Sequence, residues 1–301
     1  MSNKFNESKN KMPKILDIIT TLENSKKYRI IFLLVLATFG LGIRLFYFPF
    51  DVPLFNDAQG YFWYAIEINL LNYLPNTDIA QYANGQTGHT IVNNGWPIFL
   101  SLVFRLIDSG NFLDYHNLQR IISVIFSVAT IIPVYLLSKR YFKKSISLLA
   151  PVLFVLEPRL IQNSLLGTPE SLYIFLFTSS LVLFLSNNLR IIYCSFVVIA
   201  LFSIVRYEGT LMIIPFTIIF LIKFRKQKKD LFKYLICISL FILIILPIGY
   251  LKNETMGHDG FGSHISAGPK YYQTTIEDNT STLTELFYAG SYNLIKFSGW
   301  A

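Results

Sequence analysis

Apolar runs alternate with polar stretches along the whole chain, and several runs are long enough to cross a membrane. The clearest are 28–48, 118–138 and 231–251, each near the roughly 20 residues an α-helix needs to traverse a hydrocarbon core of about 30 Å. Less uniform runs lie at 145–160, 170–187, 191–206 and 209–223. Together they predict an all-α polytopic membrane protein of about seven transmembrane helices. The stretch 96–107 is too short to be a confident span and is expected to lie at the interface. The first run follows a polar tail and has no small-residue cleavage site behind it, so it reads as a retained span and not as a signal peptide. The expected organisation is a basic tail over 1–27, a transmembrane core over 28–251 with a long loop at 49–117, and a segment over 252–301 that combines a loop with an interfacial or incomplete further helix.

Composition agrees with this pattern. The chain of 301 residues is 53% hydrophobic and only 15% charged, with a mean hydropathy of +0.47, a balance that soluble domains rarely show. Cys194 and Cys237 both fall inside apolar runs, with no CxxC spacing, so neither a disulfide framework nor a zinc site is indicated.

Charge changes the picture further, because the net +8 is gathered in short clusters beside apolar runs. These are the tail up to Arg29, the KRYFKK turn at 139–144, Arg190, and the KFRKQKKDLFK turn at 223–233. They hold most of the Lys and Arg and few of the acids. Positive residues retained on the cytoplasmic side explain such clustering, and a nucleic-acid partner is not indicated. Placing every cluster in the cytoplasm requires an even number of crossings between them. That keeps 96–107 outside and makes 191–206 and 209–223 a hairpin with Arg206 and Glu208 at its outer tip. A single long helix through 191–222 is the alternative, and it would set both charges near mid-membrane at a high cost.

The outer face then carries the candidate chemistry. The first outer loop opens PFDVPLFNDAQGYFWYAIEINLL, in which an aromatic helical pattern after Asp57 predicts an amphipathic interfacial helix. Asn56 or Asp57 fits its N-cap equally well. Thr168-Pro169-Glu170 reads either as a second acidic site or as a helix start with Thr as the cap. Arg206 and Glu208 form either a phosphate-binding pair or a plain ion pair at the hairpin tip. Arg159 is a further phosphate candidate, with pairing to Glu157 as its alternative. His89, in the Gly- and Asn-rich stretch NGQTGHTIVNNGWP, could reach a phosphate or remain a solvated loop histidine. His258, Asp259 and His264 have a spacing that could ligate a metal or simply belong to a glycine-rich loop.

In order along the chain, Asp57-Ala58-Gln59-Gly60-Tyr61, Gly95-Trp96-Pro97, Arg120, Glu157-Pro158, Gly167-Thr168-Pro169-Glu170 and Arg206-Tyr207-Glu208-Gly209 resemble the GT-C glycosyltransferases. Within these the chain looks most like enzymes related to protein O-mannosyltransferases and lipid A aminoarabinose transferases, over about 28–250. The resemblance implies an inverting transfer of a sugar from a polyprenyl-phosphate donor to a protein, lipid or glycan acceptor on the outer face of the plasma membrane, with the N-terminus cytoplasmic. It implies Asp57 as general base and Glu170 as a second acid. Arg206, His89 and Arg159 become donor-phosphate ligands, and Tyr61 and Glu208 orienting groups. No cofactor is required, although some relatives hold Mg²⁺ or Mn²⁺ between loop carboxylates, which here would be Asp57 and Glu170. A transporter or lipid flippase is the competing class, though no internal repeat supports it. A non-catalytic subunit of a glycosylation complex is the third.

Overall fold

The computed structural model describes residues 25–71, 95–143, 145–224 and 229–256, and all regular structure among them is helical. In chain order the α-helices are α1 (Lys26–Phe46), α2 (Asp57–Leu71), α3 (Gly95–Phe104), α4 (Phe112–Ala129), α5 (Ile131–Tyr141), α6 (Leu149–Leu156), α7 (Pro158–Leu166), α8 (Glu170–Phe184), α9 (Leu189–Val205), α10 (Ile213–Phe224) and α11 (Lys229–Met256). One 3-10 turn, Ile146–Leu148, leads into α6, and another, Tyr207–Met212, leads into α10. Among the described residues four stretches are long and apolar enough to cross a membrane, namely Lys26–Phe46, Phe112–Tyr141, Tyr207–Phe224 and Phe232–Leu251, and the bent pair 146–166, taken as one span, makes a fifth. α3, α8 and α9 are apolar but shorter.

The breaks follow from local chemistry. Pro133 has no N–H for the carbonyl of Ala129, which interrupts the path from α4 to α5 without ending it. The run expected as one span at 145–160 is instead two helices bent by 51°. Glu157 precedes a proline and takes an extended conformation, φ −65° and ψ 115°, because the α region is crowded there. Pro158 then starts α7 in the first-turn position where its missing N–H costs nothing. α7 ends at Gly167, whose φ of 79° is left-handed and suits glycine.

The single long helix through 191–222 does not form. Arg206 is extended (φ −144°, ψ 125°), and the chain turns back so tightly that a Cβ on Gly209 would stand 2.3 Å from the Phe202 ring. α10 returns along α9, bringing Phe196 to 6.2 Å from Phe216 and 6.3 Å from Phe220 between ring centres.

The α2 helix departs from expectation. Its burial is not confined to one face, because Phe62, Tyr64, Ala65, Glu67 and Ile68 are all buried. These positions spread around the helix, which is therefore packed against α3 and α4 through Phe62, Trp96, Leu100 and Phe104. A second core, of Phe184, Ile192, Phe196, Phe216, Phe220, Cys237 and Phe241, lies between α8, α9, α10 and α11. Large side chains such as Leu34, Phe39, Ile132, Leu243 and Leu246 point outward, as the lipid-facing sides of membrane helices do.

Candidate functional site

Arg206 is the centre of the best-defined polar cluster. Because α9 ends one residue earlier, its side chain is thrown out at the helix end, and its guanidinium meets two carboxylates. Nη1 donates to Glu170 Oε1 at 2.8 Å and Nη2 to Glu208 Oε1 at 3.0 Å, while Nε donates to Glu208 Oε2 at 3.4 Å. The Glu208 contact is thus forked, the geometry that planar guanidinium and carboxylate favour. The Tyr173 ring centre lies 5.3 Å from Cζ, within cation–π range. Burial opposes the Arg206 charge, but the Glu208 hydrogen bonds, then the charges of Glu208 and Glu170, outweigh it and hold the guanidinium above its ordinary range.

Glu170 is the first residue of α8, where a negative charge suits the helix dipole. Thr168 does not cap this helix: the N-cap position is Pro169, with no side-chain cap bond. The turn before Glu170 is fixed by the Gly167 carbonyl, which accepts from Gln119 Nε2 at 2.8 Å and from Trp96 Nε1 at 3.1 Å. Gln119 Nε2 also donates to the Ala58 carbonyl at 3.0 Å. One amide therefore holds the start of α2 against the turn that presents Glu170. Leu54, Ala58, Trp96, Leu172 and Val205 share the hydrophobic cluster beneath. Gly95 sits so close to α9 that a Cβ there would lie 2.7 Å from the Val205 nitrogen.

Asp57 opens α2 and is exposed. The N-cap is Asn56, whose carbonyl accepts from Gln59 and Gly60 and whose φ of 51° is a left-handed conformation that Asn tolerates. The strand of chain leading to it is stapled by Arg120, which donates to the carbonyls of Val52 at 2.6 Å and Pro53 at 3.0 Å. Asp57 does not join the ion pairs of Arg206, although Ala58 beside it is tied to the Gly167 turn.

The cluster therefore unites Glu170, Arg206 and Glu208, with Tyr61 close enough to act on the Arg206 charge. Arg159 stands exposed on α7 and makes no ion pair with Glu157 among the described residues. His89, His258, Asp259 and His264 lie outside the described residues. No group of three or more His, Cys, Asp or Glu among the described residues could hold a metal. For Mg²⁺ or Mn²⁺ between Asp57 and Glu170 the donor set fits poorly, because Arg206 occupies Glu170 Oε1, and no chemistry is derived through such an ion.

Residues 97–250 match the family described as dolichyl-phosphate-mannose-protein mannosyltransferase. The chain belongs to that family. This member of the mannosyltransferase family is a membrane glycosyltransferase of the GT-C type. Comparison with curated proteins and with solved structures returned no match. The matched span of the mannosyltransferase-family chain contains Glu170, Arg206 and Glu208, together with Gln119 and Arg120, but begins after Asp57 and Tyr61. Sequence reasoning overlooked Gln119, Tyr173 and His116. A glutamine beside Arg120 in an apolar helix was the available signal for the first. Tyr173 and His116, the latter accepting from the Leu54 amide at 3.4 Å, carried none.

Proposed function

We propose that this chain transfers a sugar from a polyprenyl-phosphate donor to an acceptor hydroxyl on the outer face of the plasma membrane, with inversion at the anomeric carbon. The observation that carries the reading is Arg206, half-buried and held by two carboxylates. A guanidinium has five N–H groups, and the three bonds to Glu170 and Glu208 leave two for a ligand. A phosphate monoanion or diester is matched by that fork. Glu170 and Glu208 orient it, and Tyr61 lies on the side of α2.

The chemistry is one displacement. The acceptor oxygen attacks the anomeric carbon as the bond from that carbon to the phosphate oxygen breaks, and the electron pair leaves with the polyprenyl phosphate. Arg206 stabilises the charge that develops on the phosphate. Asp57, exposed and beside the Gly167 turn, takes the acceptor proton. Attack opposite the leaving group inverts the configuration. A protein acceptor follows the family's description, and a lipid or glycan is the alternative acceptor.

Seven crossings support the outer location. Counting α8 and α9 as short spans beside the five longer ones gives seven, with α3 lying at the interface. α8 and α9 are antiparallel, so Glu170 and Arg206 share one end of the bundle while Arg140 and Lys223 share the other, which is the cytoplasmic end by the positive-inside rule. Cysteine labelling tests this: Ser145→Cys should react only with permeant reagents, and reaction with an impermeant reagent from outside would reverse the orientation.

The chemistry is tested by Asp57→Asn in purified, reconstituted protein supplied with a polyprenyl-phospho-sugar. Release of polyprenyl phosphate should fall by roughly 10² or more. The substitution leaves the Asn56 cap untouched, so the melting temperature should hold. Turnover near that of the unaltered protein would remove Asp57 as the base.

A further inference from the structure

Arg44 is a fully buried cation in the last turn of a membrane-crossing helix, and no carboxylate among the described residues pairs with it. Nη2 donates to Ser127 Oγ at 2.9 Å, Nε to Ser164 Oγ at 3.2 Å and Nη1 to the Gly40 carbonyl at 3.0 Å. It thereby joins α1 to α4 and α7. A buried charge held only by neutral groups is costly and generally marks function.

A candidate countercharge lines the same cavity as one of the partners of Arg44. Arg206 faces two carboxylates, which leaves the Glu170–Arg206–Glu208 cluster one negative charge in excess, and Arg44 restores neutrality. Ser127, which accepts from Arg44, also lines a cavity shared with Thr130, Asn163, Glu170 and Ser171. Its volume is about 10 Å³, the size that holds one water. Glu170 Oε1 is taken by Arg206, but Oε2 is buried and hydrogen-bonds to no described protein atom, a costly omission unless water fills it.

The geometry points to Arg44 as a positioning residue of the Glu170–Arg206 site, acting through Ser127 and one buried water on Glu170 Oε2. The proton directions are consistent: Arg44 donates to Ser127, the Ser127 hydroxyl donates to the water, and the water donates to Oε2. Asn163 and Thr130 complete the water's shell. A metal cation is disfavoured in the same space because Glu170 Oε1 is already paired with Arg206 and the lining Ser127 is already bonded to the Arg44 cation. With Oε2 held from below and Oε1 on Arg206, the guanidinium keeps its two remaining N–H groups aimed at the donor phosphate. The last step rests on the donor-binding reading above.

A thermal cycle in lipid nanodiscs tests the coupling without any activity. Ser127→Ala should lower the melting temperature by about 2–4 °C, and by less than about half of that when Glu170→Ala is already present, because coupled sites are not additive. Arg44→Met should show the same dependence, and if it does not fold, the Ser127 cycle decides. In transfer assays Ser127→Ala should raise the donor KM by about 3-fold or more with kcat little changed, and Ser127→Thr, which keeps a hydroxyl, should restore it. Equal thermal shifts in both backgrounds, or Ser127→Thr behaving like Ser127→Ala, would overturn the proposal. Absence of transfer in the unaltered protein would strike the transferase reading alone and leave the thermal cycle to judge this one.

Discussion

The two ends of α8 are both dressed with charge, yet they use it differently. At its start, Glu170 meets Arg206, and the cations and anions of that cluster hold one another with N–H groups left over. At its finish, Arg140 donates to the carbonyls of Leu185 and Val182, and Lys223 donates to the carbonyl of Ser186 at 2.6 Å. There the cations satisfy the orphan carbonyls of a helix C-terminus, and no carboxylate among the described residues holds either of them in a fork. An arginine bound to carboxylates can bind an anion in trade; one bound to the backbone is a cap. The beginning of α8 is read as a site and its end as an anchor.

The sharpest way to break this comparison is to replace Arg206. Arg206→Met should reduce transfer by about 10²–10³-fold, the scale on which loss of one preorganised charge-stabilising donor is felt. Arg206→Lys should recover little, since an ammonium cannot keep the fork on Glu208 while reaching a phosphate. Donor turnover in reconstituted protein measures both. If Lys restored full turnover, Arg206 would be a structural ion pair and the two ends of α8 would be equivalent.

A smaller effect is expected at the turn that aims Glu170. Gly167→Ala places a side chain at φ 79° with Leu54 Cδ2 only 3.1 Å from its Cβ. Left-handed strain should cost about 1–2 kcal/mol, read as a lower melting temperature, with transfer falling in step as Glu170 is displaced. A stability loss with intact transfer would detach the turn from the site.

How much of this could be read beforehand depended on how local the cause was. α1, α4 and α11 follow from run length, and the hairpin at Arg206 follows from the cost of two mid-membrane charges. The Arg206–Glu208 pair was legible because the partners are two residues apart. The Glu170 contact, 36 residues away, was reachable only through the charge count that put both on one face. The break at Glu157–Pro158 was visible as a motif but not as a bend, since a bend depends on where α7 finds packing. The burial of α2 on more than one face was hidden altogether: its aromatic pattern reads as a single apolar face, and only the packing of α3 and α4 covers the rest. Arg44 lies inside the apolar run 28–48 and was passed over, and Ser127 and Ser164, its partners, look like any small residues in membrane helices.

The smallest effect belongs to the anchor. Arg140→Ala removes two donors from carbonyls at the end of α8, where the helix dipole and unpaired C=O groups favour a cation. The side chain is exposed, so water can replace much of what is lost, and Lys223 still reaches Ser186. The expected cost is about 0.3–1 kcal/mol, and raising the ionic strength should shrink the difference because exposed charges are screened. Transfer per folded molecule should not change, because the site lies at the other end of α8. Melting curves at low and high salt, paired with donor turnover, measure the two quantities separately. A large loss of turnover with little loss of stability would make the basic end part of the reaction path, for instance as a point where the lipid phosphate is handled, and would dissolve the distinction between anchor and site.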